Sequence, residues 1–164
     1  CHPMAGSEKS GPQAGTHDLF SDKKCFVSPG KKSARKKITA AVRFWKALGA
    51  VPVVMSAKEH DRVMAVVSCF PQMVSSALVA SLAGKKNLSS VKKYAGSGWR
   101  DTTRIAGSDE KIWAPIFDEN KKNLLPLLAR LQHLLIEMEW ALKTGDLQKI
   151  RGMMRVARRG ALKE

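Results

Sequence analysis

A histidine and an arginine about a hundred residues apart are the side chains of this 164-residue chain best suited to chemistry. His2 stands in Cys1-His2-Pro3-Met4-Ala5-Gly6-Ser7-Glu8-Lys9-Ser10-Gly11, and Arg104 in Gly98-Trp99-Arg100-Asp101-Thr102-Thr103-Arg104-Ile105-Ala106. A neutral imidazole at a strand-to-loop junction can take a proton from an alcohol near pH 7. A guanidinium offers a fork of donors that matches a carboxylate bidentately. If Arg104 is buried in a helical domain, leaving it without an anion would be costly. Together the two residues suit base-assisted chemistry on an acidic substrate that carries a hydroxyl. His17 and His133 have no such surroundings, and His60-Asp61 falls in the first turn of an expected helix, where dipole electrostatics account for it. The three cysteines, Cys1, Cys25 and Cys69, are an odd number without a C-x-x-C spacing, so neither a disulfide framework nor a metal site is expected. Cys69 lies among apolar neighbours with no basic partner nearby, which argues against a nucleophile.

The elements that must hold these residues change character along the chain. Residues up to 34 are rich in Gly, Ser, Pro and Lys, with one brief strand, Cys25-Phe26-Val27, closed by Ser28-Pro29-Gly30. A lone strand is marginal, and the neighbours it needs are not obvious in the sequence. From residue 35 the period is helical: Ile38, Ala41, Val42, Trp45 and Leu48 recur at three- and four-residue spacing, and Gly49 ends the segment. Val51 to Met55 reads as extended. Ser56-Ala57-Lys58-Glu59 has the form of a capping box, predicting a helix from Ser56 to about Leu82, bent near Pro71. Short helices are expected at Leu88 to Tyr94 and Trp99 to Ala106, and a further one capped by Ser108. Leu124, Leu128, Leu131, Leu135, Met138 and Leu142 then form a coiled-coil-like seam, bent at its start by Pro126, before Thr144-Gly145-Asp146 breaks into a last basic helix. Such broad apolar faces predict a homodimer.

The formal net charge is +15, much of it in Lys31, Lys32, Arg35, Lys36 and Lys37 and in Arg151, Arg155, Arg158, Arg159 and Lys163. These clusters suit nucleic acid or another polyanion, or simply a solvated face, and they lack the interleaved aromatics that stack on bases. The apolar fraction of 44% excludes a wholly disordered chain. No apolar run is expected to reach the ~18 residues of a membrane span, and no signal peptide is visible, so a cytoplasmic protein is expected.

The segment from His2 to Gly11 resembles the H-P-[MI]-A-G-x-E-K-S-G motif of prephenate (or arogenate) dehydrogenases. The resemblance continues through Phe44-Trp45 with Leu48-Gly49-Ala50, Met55-Ser56 with His60-Asp61, and Val66-Val67-Ser68. It then takes in Asp101-Thr102-Thr103-Arg104-Ile105-Ala106 with Ser108-Asp109, Trp113, Ile116-Phe117 and Glu119-Asn120, nearly the whole chain. It implies a mainly α fold, the helical dimerisation domain of prephenate dehydrogenase and 6-phosphogluconate dehydrogenase C-terminal-like type, preceded by a short β-containing remnant of the nucleotide-binding domain. The implied division is a cofactor-domain remnant over 1–34 and a substrate-binding and dimerisation domain over 35–164. The implied reaction is an NAD- or NADP-dependent oxidative decarboxylation in tyrosine biosynthesis, giving hydroxyphenylpyruvate from prephenate or tyrosine from arogenate. His2 matches the catalytic histidine and Arg104 the carboxylate-binding arginine. Ser68, Gln72, Asp101 and Trp113 match positions around the substrate, and Ser7 and Glu8 an active-site loop on the cofactor side.

Two departures qualify the match. Where the family usually has S-H-x-P-H, this chain has Ser68-Cys69-Phe70-Pro71-Gln72, so both histidines are replaced. No G-x-G-x-x-G turn follows a strand, so the phosphate cradle of a dinucleotide domain is missing from these residues. The expectation is a C-terminal part of a longer enzyme that folds, dimerises and binds substrate but by itself does not turn it over. The alternatives are a basic helical module that binds nucleic acid, and a non-catalytic assembly domain of the same fold. A steeply salt-dependent affinity for duplex DNA marks the former. Loss of the two mid-helix histidines favours the latter, and retention of His2, Asp101 and Arg104 together opposes it.

Overall fold

The structure, a computed structural model, describes residues 1–5, 15–83 and 92–162. It is mainly helical, with three short strands that complete the sheet the sequence left in doubt: β1 (His2–Pro3), β2 (Lys24–Val27) and β3 (Val51–Val54), in the order β1-β2-β3. β1 runs antiparallel to β2, with His2 opposite Phe26, and β3 runs parallel to β2, with Phe26 opposite Val53. Parallel neighbours need a crossover, and helix α1 (Arg35–Ala47) supplies it. The partners of Cys25-Phe26-Val27 were hidden because a two-residue strand and a strand containing Pro52 carry almost no alternation. Cys25, Phe26 and Val27 are buried, which fixes the register of β1 and hence the place of His2. Gly49 ends α1 at φ +81°, and a Cβ there would meet Ser21 at 3.3–3.4 Å, so the turn into β3 needs glycine twice over.

Ser56 caps the next helix as expected: its Oγ accepts from the Glu59 N–H at 3.2 Å. The bend predicted near Pro71 is a change of helix type. α2 (Ala57–Met64) passes into a π turn (Ala65–Cys69), where the Phe70 N–H reaches back to the Ala65 carbonyl, and then into α3 (Phe70–Leu82). Taken as one helix, Ala57–Leu82 is long and apolar enough to cross a membrane by length and composition alone, with a mean hydropathy of 1.8. That corrects the expectation of no such run. Its buried polar residues, Gln72 and Ser75, both bond to carbonyls of this same chain.

α4 (Ser97–Thr103) tightens into a 3-10 turn (Arg104–Gly107), and α5 (Glu110–Glu119) follows. The N-cap of α5 is Asp109 rather than Ser108: Asp109 Oδ1 accepts from the Lys111 N–H at 2.8 Å, while the Ser108 hydroxyl donates to the Ile105 carbonyl at 2.7 Å. The helix expected at Leu88 to Tyr94 lies mostly outside the described residues.

The chain divides into two compact units, Cys1–Asn123 and Leu124–Glu164. The second holds most of α6 (Lys121–Thr144), continuous through Pro126, and α7 (Leu147–Leu162). Gly145 at φ +69° joins them, and Asp146 Oδ1 accepts from the Lys149 N–H at 2.9 Å to start α7. Along α6 and α7, Leu135, Ile136, Trp140, Leu142, Leu147, Met154 and Val156 are exposed.

Candidate active site

The first unit contains a cleft of about 640 Å³. β1 contributes His2 to its lining, α2 contributes His60, Asp61 and Met64, and the π turn contributes Ser68 and Cys69. Gln72 comes from α3, Arg104 from the 3-10 turn and Trp113 from α5. Met64, Ser68 and Gln72, spaced four residues apart, reach the lining together from one side of this helical segment, with the π turn between the first and the last. Thus five of the expected residues, His2, Ser68, Gln72, Arg104 and Trp113, line one cavity. Asp101 does not; it lines a neighbouring cavity with Lys92, Lys93, Trp99 and Arg100, which Arg104 also lines. Ser7 and Glu8 lie outside the described residues. Arg104 is exposed, so the argument from the cost of a buried cation does not apply, and its role rests on its place in the cleft.

The polar chain at the His2 end was missed in the sequence. His2 Nδ1 lies 2.9 Å from His60 Nε2, and His60 Nδ1 lies 3.0 Å from Asp61 Oδ1. A carboxylate only accepts, so His60 donates from Nδ1 and accepts at Nε2. His2 then donates from Nδ1, and its Nε2 keeps a lone pair. The network therefore assigns His2 the tautomer of a base. Phe26 packs against both rings, at centroid distances of 6.5 Å and 5.9 Å. Burial, and then the nearby His60 ring, hold the His2 imidazole below its ordinary pKa of 6.5, so it is neutral at physiological pH. Replacing His60 with alanine removes both influences in part. The His2 titration midpoint, followed by NMR of its ring protons, is expected below 6.5 in the native chain and to move up toward 6.5 in His60→Ala. A midpoint unmoved by the substitution contradicts the network. The signal in the sequence is the His60-Asp61 pair at the start of α2, which dipole electrostatics alone also accounts for.

Asn120 braces this end of the cleft. Its Nδ2 donates to the Asp61 carbonyl at 2.8 Å, and its Oδ1 accepts from the Asn123 amide at 2.7 Å. Cys69 is only 2% exposed, and burial pushes its thiol pKa up, so it stays protonated, in keeping with a packing role.

Fold and site define a mainly helical protein with a three-stranded sheet and with a histidine and an arginine in one cleft. Residues 56–156 match the family model for the prephenate dehydrogenase dimerization domain, and residues 1–54 the model for the prephenate dehydrogenase nucleotide-binding domain. The chain belongs to the prephenate dehydrogenase family. It is 34% identical over 129 residues to a cyclohexadienyl dehydrogenase of Zymomonas mobilis, covering 77% of this chain and 44% of that protein. It is 39% identical over 125 residues to a prephenate dehydrogenase of Bacillus subtilis, covering 76% and 34%. Among solved structures it resembles prephenate dehydrogenase from A. aeolicus in complex with hydroxyphenyl propionate and NAD+, with a TM-score of 0.80 and 33% identity, over 99% of this chain and 58% of that one. The chain thus spans less than half the length of these two curated relatives.

Proposed function

We propose that this chain forms the substrate-binding and dimerising part of an NAD- or NADP-dependent dehydrogenase that oxidatively decarboxylates prephenate or arogenate in tyrosine biosynthesis. The observation that carries the reading is the assembly of His2, with its free lone pair, and Arg104 in one cleft. Arg104 holds a carboxylate of the substrate. Ser68 supplies a hydroxyl, Gln72 an amide with one N–H already given to Ile105, and Trp113 an aromatic wall. Asp101, in the adjoining cavity, acts on the arginine rather than on the ligand.

His2 Nε2 accepts the proton of the ring hydroxyl as hydride leaves the carbon that bears it. A carboxylate on the ring then departs as carbon dioxide, its bonding electrons make the ring aromatic, and the proton returns to the phenolic oxygen. Proton and charge therefore balance without a further acid. A nicotinamide, when bound, supplies the hydride acceptor. This chain's residues suit only that reactive end, since no Gly-rich phosphate turn stands among them. Ser7 and Glu8 belong to the cofactor side of the same proposal. The proposal keeps a cofactor-side part over 1–34 and a helical part over 35–164, beside a nucleotide-binding domain model that matches residues 1–54.

A homodimer formed through the helical region covers the apolar faces of α6 and α7, in keeping with the dimerization domain model over 56–156. A cytoplasmic location is part of the proposal, as the compartment where a soluble biosynthetic dehydrogenase works.

The test is turnover. Joined to the nicotinamide-binding portion of a relative, the chain is expected to reduce the nicotinamide cofactor with prephenate or arogenate while releasing carbon dioxide. The 164-residue polypeptide alone is expected to bind but not to turn over. Reduction with neither substrate, in a folded fusion that binds cofactor, contradicts the reading.

A further inference from the structure

Gln72 and Ser75 are the only buried polar side chains among the described residues, at 4% and 3% exposure, and both point from α3 to the same segment. Gln72 Nε2 donates to the Ile105 carbonyl at 2.7 Å, and Ser75 Oγ donates to the Thr102 carbonyl at 2.7 Å. Those two peptide groups lie on either side of Arg104. The segment needs outside partners because of how it is built. α4 ends at Thr103 and tightens into the 3-10 turn, so carbonyls in its last turn lack the partner four residues on that a continuing α-helix would provide. The Ser108 N–H and hydroxyl also turn back to the Ile105 carbonyl, so the turn is closed from its own C-terminal side as well. What α3 adds is an anchor from a different element, which fixes where the turn sits relative to the cleft wall.

We propose that Gln72 and Ser75 are positioning residues: they clamp the backbone on both sides of Arg104 and so set the guanidinium's place in the cleft. This rests on the carboxylate-binding role proposed for Arg104, and it gives Gln72 a part that does not require contact with the substrate. The two bonds act together, since one alone would leave the turn free to pivot about the other. Neither donor titrates, so the clamp holds across the pH range in which His2 changes charge.

The test is a mutant cycle on the full 164-residue chain, with hydroxyphenyl propionate as the ligand and calorimetry as the readout. Gln72→Met keeps length and apolar bulk but cannot donate; Ser75→Ala is the milder companion should the first fold poorly. Each is expected to weaken binding by about tenfold, the scale of a lost buried hydrogen bond. In an Arg104→Ala background the same substitutions are expected to change affinity less than about twofold, because their effect passes through the arginine. Effects that multiply in full overturn the proposal, since a merely structural loss would persist without Arg104. A second readout does not depend on the ligand. NMR relaxation is expected to show raised mobility of the 104–107 backbone and of the Arg104 side chain in both variants, and unchanged mobility overturns the clamp. If the native chain fails to bind hydroxyphenyl propionate, the substrate reading falls, while the relaxation measurement still decides the clamp.

Discussion

Replacing His2 with alanine, in this chain joined to a nicotinamide-binding portion, is expected to lower turnover by about 10²–10⁴-fold, the usual contribution of a positioned general base. Binding should change much less, because the imidazole's proton transfer is worth most in the transition state. The pH profile gives a sharper signature. A base works only when neutral, so turnover falls as pH drops through its pKa. Burial and His60 hold that pKa below 6.5, so the acid limb of the native profile should lie below 6.5. It should move to higher pH in His60→Ala and vanish in His2→Ala. Asp61→Asn tests the same chain from its far end. It removes the pure acceptor that orients His60, and turnover should fall while His2 itself stays in place.

The second large effect concerns Arg104. Arg104→Ala is expected to weaken binding of hydroxyphenyl propionate about 10- to 100-fold, the range for losing hydrogen bonds to a charged group. Arg104→Lys should fall between, since an ammonium keeps the charge but not the planar fork. The side chain is exposed, so screening matters: raising the salt should narrow the gap between native chain and Arg104→Ala. Isothermal calorimetry at two ionic strengths would measure both. Equal affinity of the native chain and Arg104→Ala would remove the arginine from the site.

Local chemistry made much of this fold legible from the residues. Ser56, Gly49 and the Gly145-Asp146 break act through bonds within a few positions, and the structure places each at the expected helix end. What sequence could not yield depends on contacts far along the chain. The extended piece at Val51 to Met55 is legible, but its pairing with β2, and that of the two-residue β1, depends on contacts far along the chain. The π turn has no local signature beyond Pro71, and it carries two residues of the cleft lining, Ser68 and Cys69. Ser108 was a reasonable cap by type. It lost that place to Asp109 because its hydroxyl is drawn to Ile105, in the turn that Gln72 also holds.

The site divides along the same line. His2 and Arg104 could be singled out by side-chain chemistry and motif, and they do share a cavity. His60 and Asp61 had a complete local explanation at a helix start. Only the approach of β1 to α2, across 58 residues, turns them into the support of His2. Gln72 lines the cleft, and its one N–H bond to the Ile105 carbonyl, made across 33 residues, has no signature in the sequence.

The central claim is that one cleft, with His2 on a strand and Arg104 on a helical turn, takes a hydroxyphenyl carboxylate. The most direct measurement is an NMR titration of this chain with hydroxyphenyl propionate. Saturable shifts are predicted together at His2, His60, Ser68, Arg104 and Trp113, with a single affinity, and prephenate should displace the ligand. Shifts confined to the basic residues at the start of α1 and along α7, or no saturable shifts at all, would contradict it.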